Sequence, residues 1–183
     1  MSLKQKSNLQ DFIFKGNARE WFGIWIVNLL LSIVTIGIYS AWAKVRTQKY
    51  FYGNTFVAGR SFDYHATGGQ ILKARLVVIA AIVFFQIILS LLPIVGLILA
   101  LGLLLLFPWL IIRAMVFNAR VSSFSNVRFD FVGTYGRAML VYLLYPILCA
   151  LTLYTTYPIL DRTLKRFTIA NLRFGTAEFK VDA

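Results

Sequence analysis

Three stretches of this 183-residue chain carry no charged residue: 21–43, 76–112 and 138–160, which are 23, 37 and 23 residues long. A helix rising 1.5 Å per residue needs about 20 apolar residues to cross a hydrocarbon core about 30 Å thick, and every stretch reaches that length. A straight helix through the middle stretch would measure about 55 Å, so it is expected to fold back on itself. Pro93 to Gly96 marks the turn, because proline removes a backbone donor and glycine relieves the bend, and Pro108 predicts a kink farther on. The expected fold is an all-α integral membrane protein of one domain over residues 1–183. Its four transmembrane helices fall near 21–43, 70–92, 95–117 and 138–160.

Composition agrees, since 59% hydrophobic against 14% charged residues is too apolar for a soluble domain of this size. The net charge of +12 raises nucleic acid as a partner, but the 19 Lys and Arg flank the apolar stretches instead of forming one face or tail. That distribution suits contact with anionic lipid headgroups, and no nucleic-acid partner is expected. Cys149 is the only cysteine, so it forms no intrachain disulfide and reads as a small core residue. Ala41-Trp42-Ala43 resembles a signal-peptide cleavage site, yet the apolar stretch before it is too long and Lys44, Arg46 and Lys49 follow at once. An uncleaved first span is the reading.

Between the apolar stretches, aromatic residues recur two apart: Phe12/Phe14, Phe62/Tyr64 and Phe129/Phe131, with Phe179/Val181 as a fainter copy. Period two is the strand period, so these predict short interfacial β-hairpins with one apolar face. Such ladders satisfy backbone groups near the lipid boundary. The pairs are spaced by 50, 67 and 50 residues. Shifting the chain by 117 places Phe12, Phe14, Gly16, Leu31, Thr35, Asn54 and Phe62 on Phe129, Phe131, Gly133, Leu148, Thr152, Asn171 and Phe179, a weak internal repeat. Counting four crossings puts the Phe62 and Phe129 strands on one side of the membrane and the Phe12 and Phe179 strands on the other. Charge does not orient the chain, because both sets of loops are basic.

Tyr39, Trp42, Lys44, Arg46 and Lys49 follow the first apolar stretch, where aromatic rings favour the headgroup level and cations reach phosphates. They are the candidate lipid-headgroup contacts, as a general anchor or as a specific anionic-lipid site.

Phe12-x-Phe14-x-Gly16, Asn28-Leu29-Leu30, Thr35-x-Gly37-Ile38-Tyr39-Ser40-x-Trp42-Ala43-x-x-Arg46, Asn54-Thr55 and Phe62-x-Tyr64-x-x-Thr67-Gly68 together resemble the signature of the YjgN family. The likeness continues through Pro108-Trp109, Asn118 and Arg128-Phe129-x-Phe131-x-Gly133 to Phe174-Gly175-Thr176-x-x-Phe179. It implies a multi-pass protein of the bacterial inner membrane with a domain of unknown function, and lends no activity. Members of the family are usually longer, which implies a short member, a piece of a longer chain, or one that pairs with itself.

No catalytic constellation is evident. Asp63 and His65 flank Tyr64, and opposite pointing of strand neighbours argues against a local dyad. Thr67-Gly68-Gly69-Gln70 lacks the lysine and spacing of a phosphate loop and reads as a helix entry. No His or Cys cluster has metal-ligand spacing, and no cofactor is expected. The expected spans hold polar but no ionisable groups in their interiors. Ion-coupled transport normally relies on such groups. Asn28, Thr35 and Gln86, with Ser32 and Ser90, are candidate interhelical polar contacts. The expected function is non-enzymatic, through lipid or protein contact and with homo-oligomers open; the alternative is a subunit of an oligomeric transporter or channel.

Overall fold

The computed structural model describes residues 10–179, so Val181 of the fourth aromatic pair lies outside it. The described residues form two compact units that divide between Leu72 and Lys73, with Phe124–Asn126 belonging to the first. In chain order the elements are β1 (Phe12–Phe14), α1 (Ala18–Val34), α2 (Ser40–Asn54), β2 (Thr55–Val57), β3 (Arg60–Tyr64), α3 (Gly68–Leu91) and α4 (Pro93–Arg120). Then come β4 (Ser122–Phe124), β5 (Val127–Phe131), α5 (Tyr135–Met139), a π-helical turn (Leu140–Leu144), α6 (Tyr145–Leu151), α7 (Tyr157–Ala170), β6 (Leu172–Phe174) and β7 (Ala177–Glu178).

In the first unit the charge-free stretch is a helical hairpin. Asn17 starts α1 by accepting the Arg19 N–H on its side chain at 2.9 Å, which satisfies one of the orphan donors of the first turn. α1 stops where the Ile36 N–H bonds Ile33 O at 3.1 Å and the Gly37 N–H bonds Ser32 O at 2.7 Å, the paired bonds of a Schellman ending. The chain reverses there, with φ of 51° at Ile36 and 83° at Gly37. α2 then runs back along α1. The Tyr50 hydroxyl accepts the Asn17 N–H at 2.7 Å and donates to the Asn17 carbonyl at 2.8 Å, while the Lys15 N–H donates to Asn54 O at 2.9 Å. The hairpin therefore closes where it began, and β2 pairs antiparallel with β1, Phe12 opposite Val57 and Phe14 opposite Thr55. Ala58 and Gly59, with φ of 49° and 76°, make the tight turn that brings β3 back against β2.

The second unit repeats this design 117 residues later. Leu153 and Tyr154 have φ of 50° and 63°. Their N–H groups bond Ala150 O at 3.1 Å and Cys149 O at 2.8 Å. The Val132 N–H closes the base on Asn171 O at 2.9 Å, and β5 pairs with β6, Phe129 opposite Phe174 and Phe131 opposite Leu172. Asn54 and Asn171 fill one role, their side-chain amides donating to Tyr50 O at 2.8 Å and Phe167 O at 2.7 Å. The outgoing arm differs between the units. In the second, the Tyr145 N–H reaches five residues back to Leu140 O and Pro146 supplies no donor, which gives the π-helical turn. Here Phe131 and Phe167, each 5% exposed, pack with Ala119, Ala138 and Val141. Burying each ring contributes about 1.5–3 kcal/mol.

α3 and α4 correspond to the expected spans 70–92 and 95–117, and they are the two described helices long and apolar enough to cross a membrane. Leu92 alone separates them, with Pro93 opening α4. A Cβ at Gly96 would stand 2.7 Å from Leu89 Cα, so only glycine allows the two helices to meet so closely. Pro108 is buried inside α4, and the Tyr135 hydroxyl donates to the carbonyl of Leu105 there at 2.7 Å.

Several expectations change. The structure is mostly helical, and the described residues include seven short strands, a larger β component than the few interfacial hairpins expected beside an all-α membrane core. Spans at 21–43 and 138–160 are broken at 35–39 and 152–156, because both runs turn back through paired left-handed residues. Parity changes with them. Phe12 and Phe62 belong to one three-stranded meander and stack at 6.2 Å, and the Phe129 and Phe179 rings stand 6.5 Å apart. Both end runs return the chain to its starting strand. At β1 the Phe12 ring stacks on Phe62 of β3 and the Phe14 ring on Phe51 of α2 at 5.9 Å, yet Phe12, Ile13 and Phe14 all stay exposed, so the face they form is only partly covered.

Candidate lipid-contact site

Each hairpin ends in an apolar tip. Ile36 is 94% exposed and Val34 78% at the first, and Leu153 is 85% and Tyr154 70% at the second. Ile36 and Leu153 occupy the left-handed position after the helix end that glycine usually fills. A Cβ in that conformation costs about 1–2 kcal/mol, most of all for a β-branched residue such as Ile36.

The predicted headgroup contacts lie just past the first tip. Tyr39 and Trp42 stack at 6.4 Å with an interplanar angle of 15°. The Trp42 indole covers Gly68 at the start of α3, where a Cβ would come within 2.5 Å of the ring. Lys44, Arg46 and Lys49 stand exposed along α2. Residues two apart on a helix do not face each other, so Lys44 and Arg46 point to different sides. Arg46 and Lys49, three apart, share a side, so the cations form a basic collar over two sides of the return helix, suited to a layer of anionic headgroups more than to one chelated phosphate. α7 repeats the theme with exposed Arg162, Lys165 and Arg166, the Lys165 ammonium held 2.7 Å from Asp161.

The polar candidates separate. Asn28 is 6% exposed, and its amide donates to Ala43 O and Thr47 Oγ1, both at 3.4 Å, joining α1 to α2. Its Oδ1 is buried without a hydrogen-bond partner among the described residues. Thr35 serves the turn, its hydroxyl donating to Leu31 O at 2.7 Å and accepting the Tyr39 N–H at 2.9 Å. Gln86 stands exposed on α3.

Asp63 and His65 are two apart on the chain and so share a face, against the expectation that they point away from each other. Their closest atoms, His65 Nδ1 and Asp63 Oδ2, are 3.8 Å apart, beyond hydrogen-bond length. Thr67 and Gln70 cap α3 reciprocally: the Thr67 N–H donates to Gln70 Oε1 at 3.1 Å and the Gln70 N–H to Thr67 Oγ1 at 3.4 Å. Among the described residues no three His, Cys, Asp or Glu side chains come together to hold a metal ion.

Sequence reasoning did not assign two features. Leu105, Leu106, Trp109 and Tyr135 line an apolar pocket of about 270 Å³, with the Arg113 guanidinium 5.1 Å from the Trp109 ring centre. Pro108 was the available signal, since it lacks the N–H that would bond the Leu104 carbonyl, one residue from the carbonyl that Tyr135 meets. The Arg120 guanidinium lies 3.0 Å from Asp130, whose Oδ1 also accepts the Phe131 N–H at 2.9 Å. The Arg120 hydrogen bond, foremost, holds the Asp130 carboxyl below its usual pKa.

Residues 10–183 match the family described as "Bacterial protein of unknown function (DUF898)". The chain is 33% identical over 150 residues to the inner membrane protein YjgN of Escherichia coli O157:H7, covering 80% of this chain and 37% of that protein. Against the YjgN of Salmonella typhimurium strain LT2 it is 32% identical over 155 residues, covering 84% of this chain and 39% of that one. The chain thus spans less than two fifths of the length of these curated relatives. No solved structure matches. With matched residues running from 10 to 183 and carrying both hairpins and every strand, the chain belongs to the DUF898 family of YjgN-like bacterial proteins, whose function is unknown.

Proposed function

We propose that this chain is a multi-pass protein of the bacterial inner membrane that acts without catalysis, through contact with lipid. The observation that carries this reading is the pairing in one hairpin of an apolar tip, Ile36 at 94% exposure, with an exposed basic collar at Lys44, Arg46 and Lys49. Apolar surface of this kind favours hydrocarbon, and each cation near an anionic surface contributes about 1 kcal/mol of salt-sensitive attraction. The inner-membrane relatives and the two long apolar helices α3 and α4 support the location. Replacing Lys44, Arg46 and Lys49 together by Gln tests it. Native mass spectrometry in mild detergent is expected to show reduced co-purifying phosphatidylglycerol or cardiolipin with the helical circular dichroism kept. Unchanged retention of these lipids in the triple variant refutes anionic-headgroup contact and leaves a general anchor.

A second reading, an oligomeric transporter or channel subunit, is favoured by Gln86. An exposed amide on an apolar helix facing hydrocarbon gains about 1 kcal/mol from a hydrogen bond to another helix, which a second copy of the chain supplies. The mass of the same detergent complex decides: a monomer that stays monomeric across concentrations sinks this reading.

A further inference from the structure

We infer that the two helical hairpins are shallow wedges, each driven by its tip residue into the leaflet beside its own strands, and that the chain thereby prefers convexly curved anionic membrane. The inference rests on the lipid-contact reading and adds to it the depth and the shape of the membrane engaged.

Depth follows from where the charges fall. In the first hairpin the outgoing arm is charge-free over residues 21–34, about 21 Å of helix, but on the return arm Lys44 comes four residues after Ser40, about 6 Å from the helix start. The second hairpin repeats these lengths, charge-free over 138–151 and first charged at Asp161, four residues after Tyr157. Ile36 precedes Lys44 by eight residues, at most about 12 Å at the helical rise, so with the Lys44 backbone at the headgroup boundary the first tip stays short of the 15 Å midplane of a core about 30 Å thick. Asp161 is too short to snorkel and is paired with Lys165, so the second hairpin rides shallower. Neither hairpin crosses the membrane, and each adds volume to the outer part of the leaflet that it enters.

The tips give the independent observation. Two residues that pay backbone strain, Ile36 at φ 51° and Leu153 at φ 50°, are among the most exposed large apolar side chains described, and they occupy equivalent places 117 residues apart. A turn whose only duty was reversal is served better by glycine. Strain kept at an exposed site points to use, and an apolar side chain on a turn flanked by basic helices fits the acyl region just beneath anionic headgroups. Insertion to that depth expands one leaflet more than the other, which makes binding sensitive to curvature.

The full chain, labelled with a fluorophore and reconstituted into phosphatidylethanolamine–phosphatidylglycerol vesicles of mixed diameter, tests this through protein density per membrane area on single vesicles. Density is expected to be at least about twofold higher on the smallest vesicles than on the largest. The variant Ile36→Gly with Leu153→Gly is expected to abolish that ratio. Glycine accepts the left-handed conformation, and Ile36→Asn with Leu153→Asn, which also tolerates it, serves as the second variant. Equal density across sizes for the unmodified chain overturns the wedge, as does full curvature preference in both double variants. Retention of anionic lipid in detergent reads the parent proposal separately: a chain that keeps its lipid yet shows no curvature preference loses the wedge alone.

Discussion

Exchanging the second residues of the two hairpin tips, Tyr154→Gly and Gly37→Tyr, isolates the backbone cost of the reversal. Both positions hold positive φ, 63° and 83°. A Cβ at Gly37 meets nothing within 4 Å, and Tyr154 is 70% exposed, so neither exchange gains or loses much packing. The N–H bonds of the turn, Gly37 to Ser32 O and Tyr154 to Cys149 O, are backbone bonds that both variants keep. What remains is the left-handed cost of a side chain, about 1–2 kcal/mol, set against the extra ordering entropy of glycine, about 0.5–1 kcal/mol. Tyr154→Gly should therefore stabilise the chain by about 0.5–1 kcal/mol and Gly37→Tyr should destabilise it by a similar amount. For a chain of this size that corresponds to shifts of about 1–4 °C in melting temperature, upward for the first and downward for the second. Thermal unfolding in mild detergent followed by circular dichroism reads both. Destabilisation by Tyr154→Gly, or shifts of one sign in both variants, would falsify the strain account and move Tyr154 into a packing role.

Gly133→Ala should cost about 2 kcal/mol in the same assay, because its new methyl meets Phe131 Cε1 at 2.6 Å and Phe167 Cζ at 3.0 Å in a buried cluster. Gly16→Ala should cost clearly less, since it meets only the exposed Phe14 ring, which can swing away; equal costs would remove the difference between the two bases. Cysteines introduced at 15 and 60 should react with an impermeant maleimide from one face of the membrane, as should those at 128 and 175, because each pair belongs to one strand meander. Labelling of 15 and 60 from opposite faces would restore the straight first span. Asp130 has a lowered folded-state pKa, so its contribution is fully present above the ordinary carboxylate value of about 4 and disappears as pH falls through the folded value. Unfolding profiles from pH 6 downward should be flatter for Asp130→Asn than for the unmodified chain, and identical slopes would discard the Arg120 pairing as a stabiliser.

What the sequence disclosed follows from the range of each signal. The 117-residue shift found Asn54 and Asn171 without a role, and they prove to end both return helices while their carbonyls receive Lys15 and Val132. Strand pairs such as Phe129 and Phe131 were readable because alternation is local. Breaks at Ile36 and Leu153 were not: a charge-free stretch looks alike whether it runs straight or reverses, Gly37 is a lone glycine in an apolar run, and the second bend, Leu153-Tyr154, has neither the Gly nor the Asn that turn chemistry leads one to look for. The crossing count inherited that error, since one unseen reversal inverts every side assignment after it. The three-residue strands β2, β4 and β6 were too short to show a period. The headgroup cluster was legible as composition, yet its spread around α2 depends on helix phase, which fixes angle only once the helix start at Ser40 is known.

The clasp at the foot of each hairpin has a consequence for how such chains grow. Lys15 meets Asn54, and Val132 meets Asn171, so a segment of about forty residues departs from and comes home to the same rung of backbone pairing. A duplicated copy inserted there needs no new crossing, no rerouted loop and no compensating segment to restore sidedness, because its net displacement is one strand. Odd and even copy numbers are then equally tolerable, which is a freedom that genes encoding ordinary serpentine proteins lack. Lengthening by tandem duplication becomes a small evolutionary step in such an architecture, and trimming by deletion an equally small one.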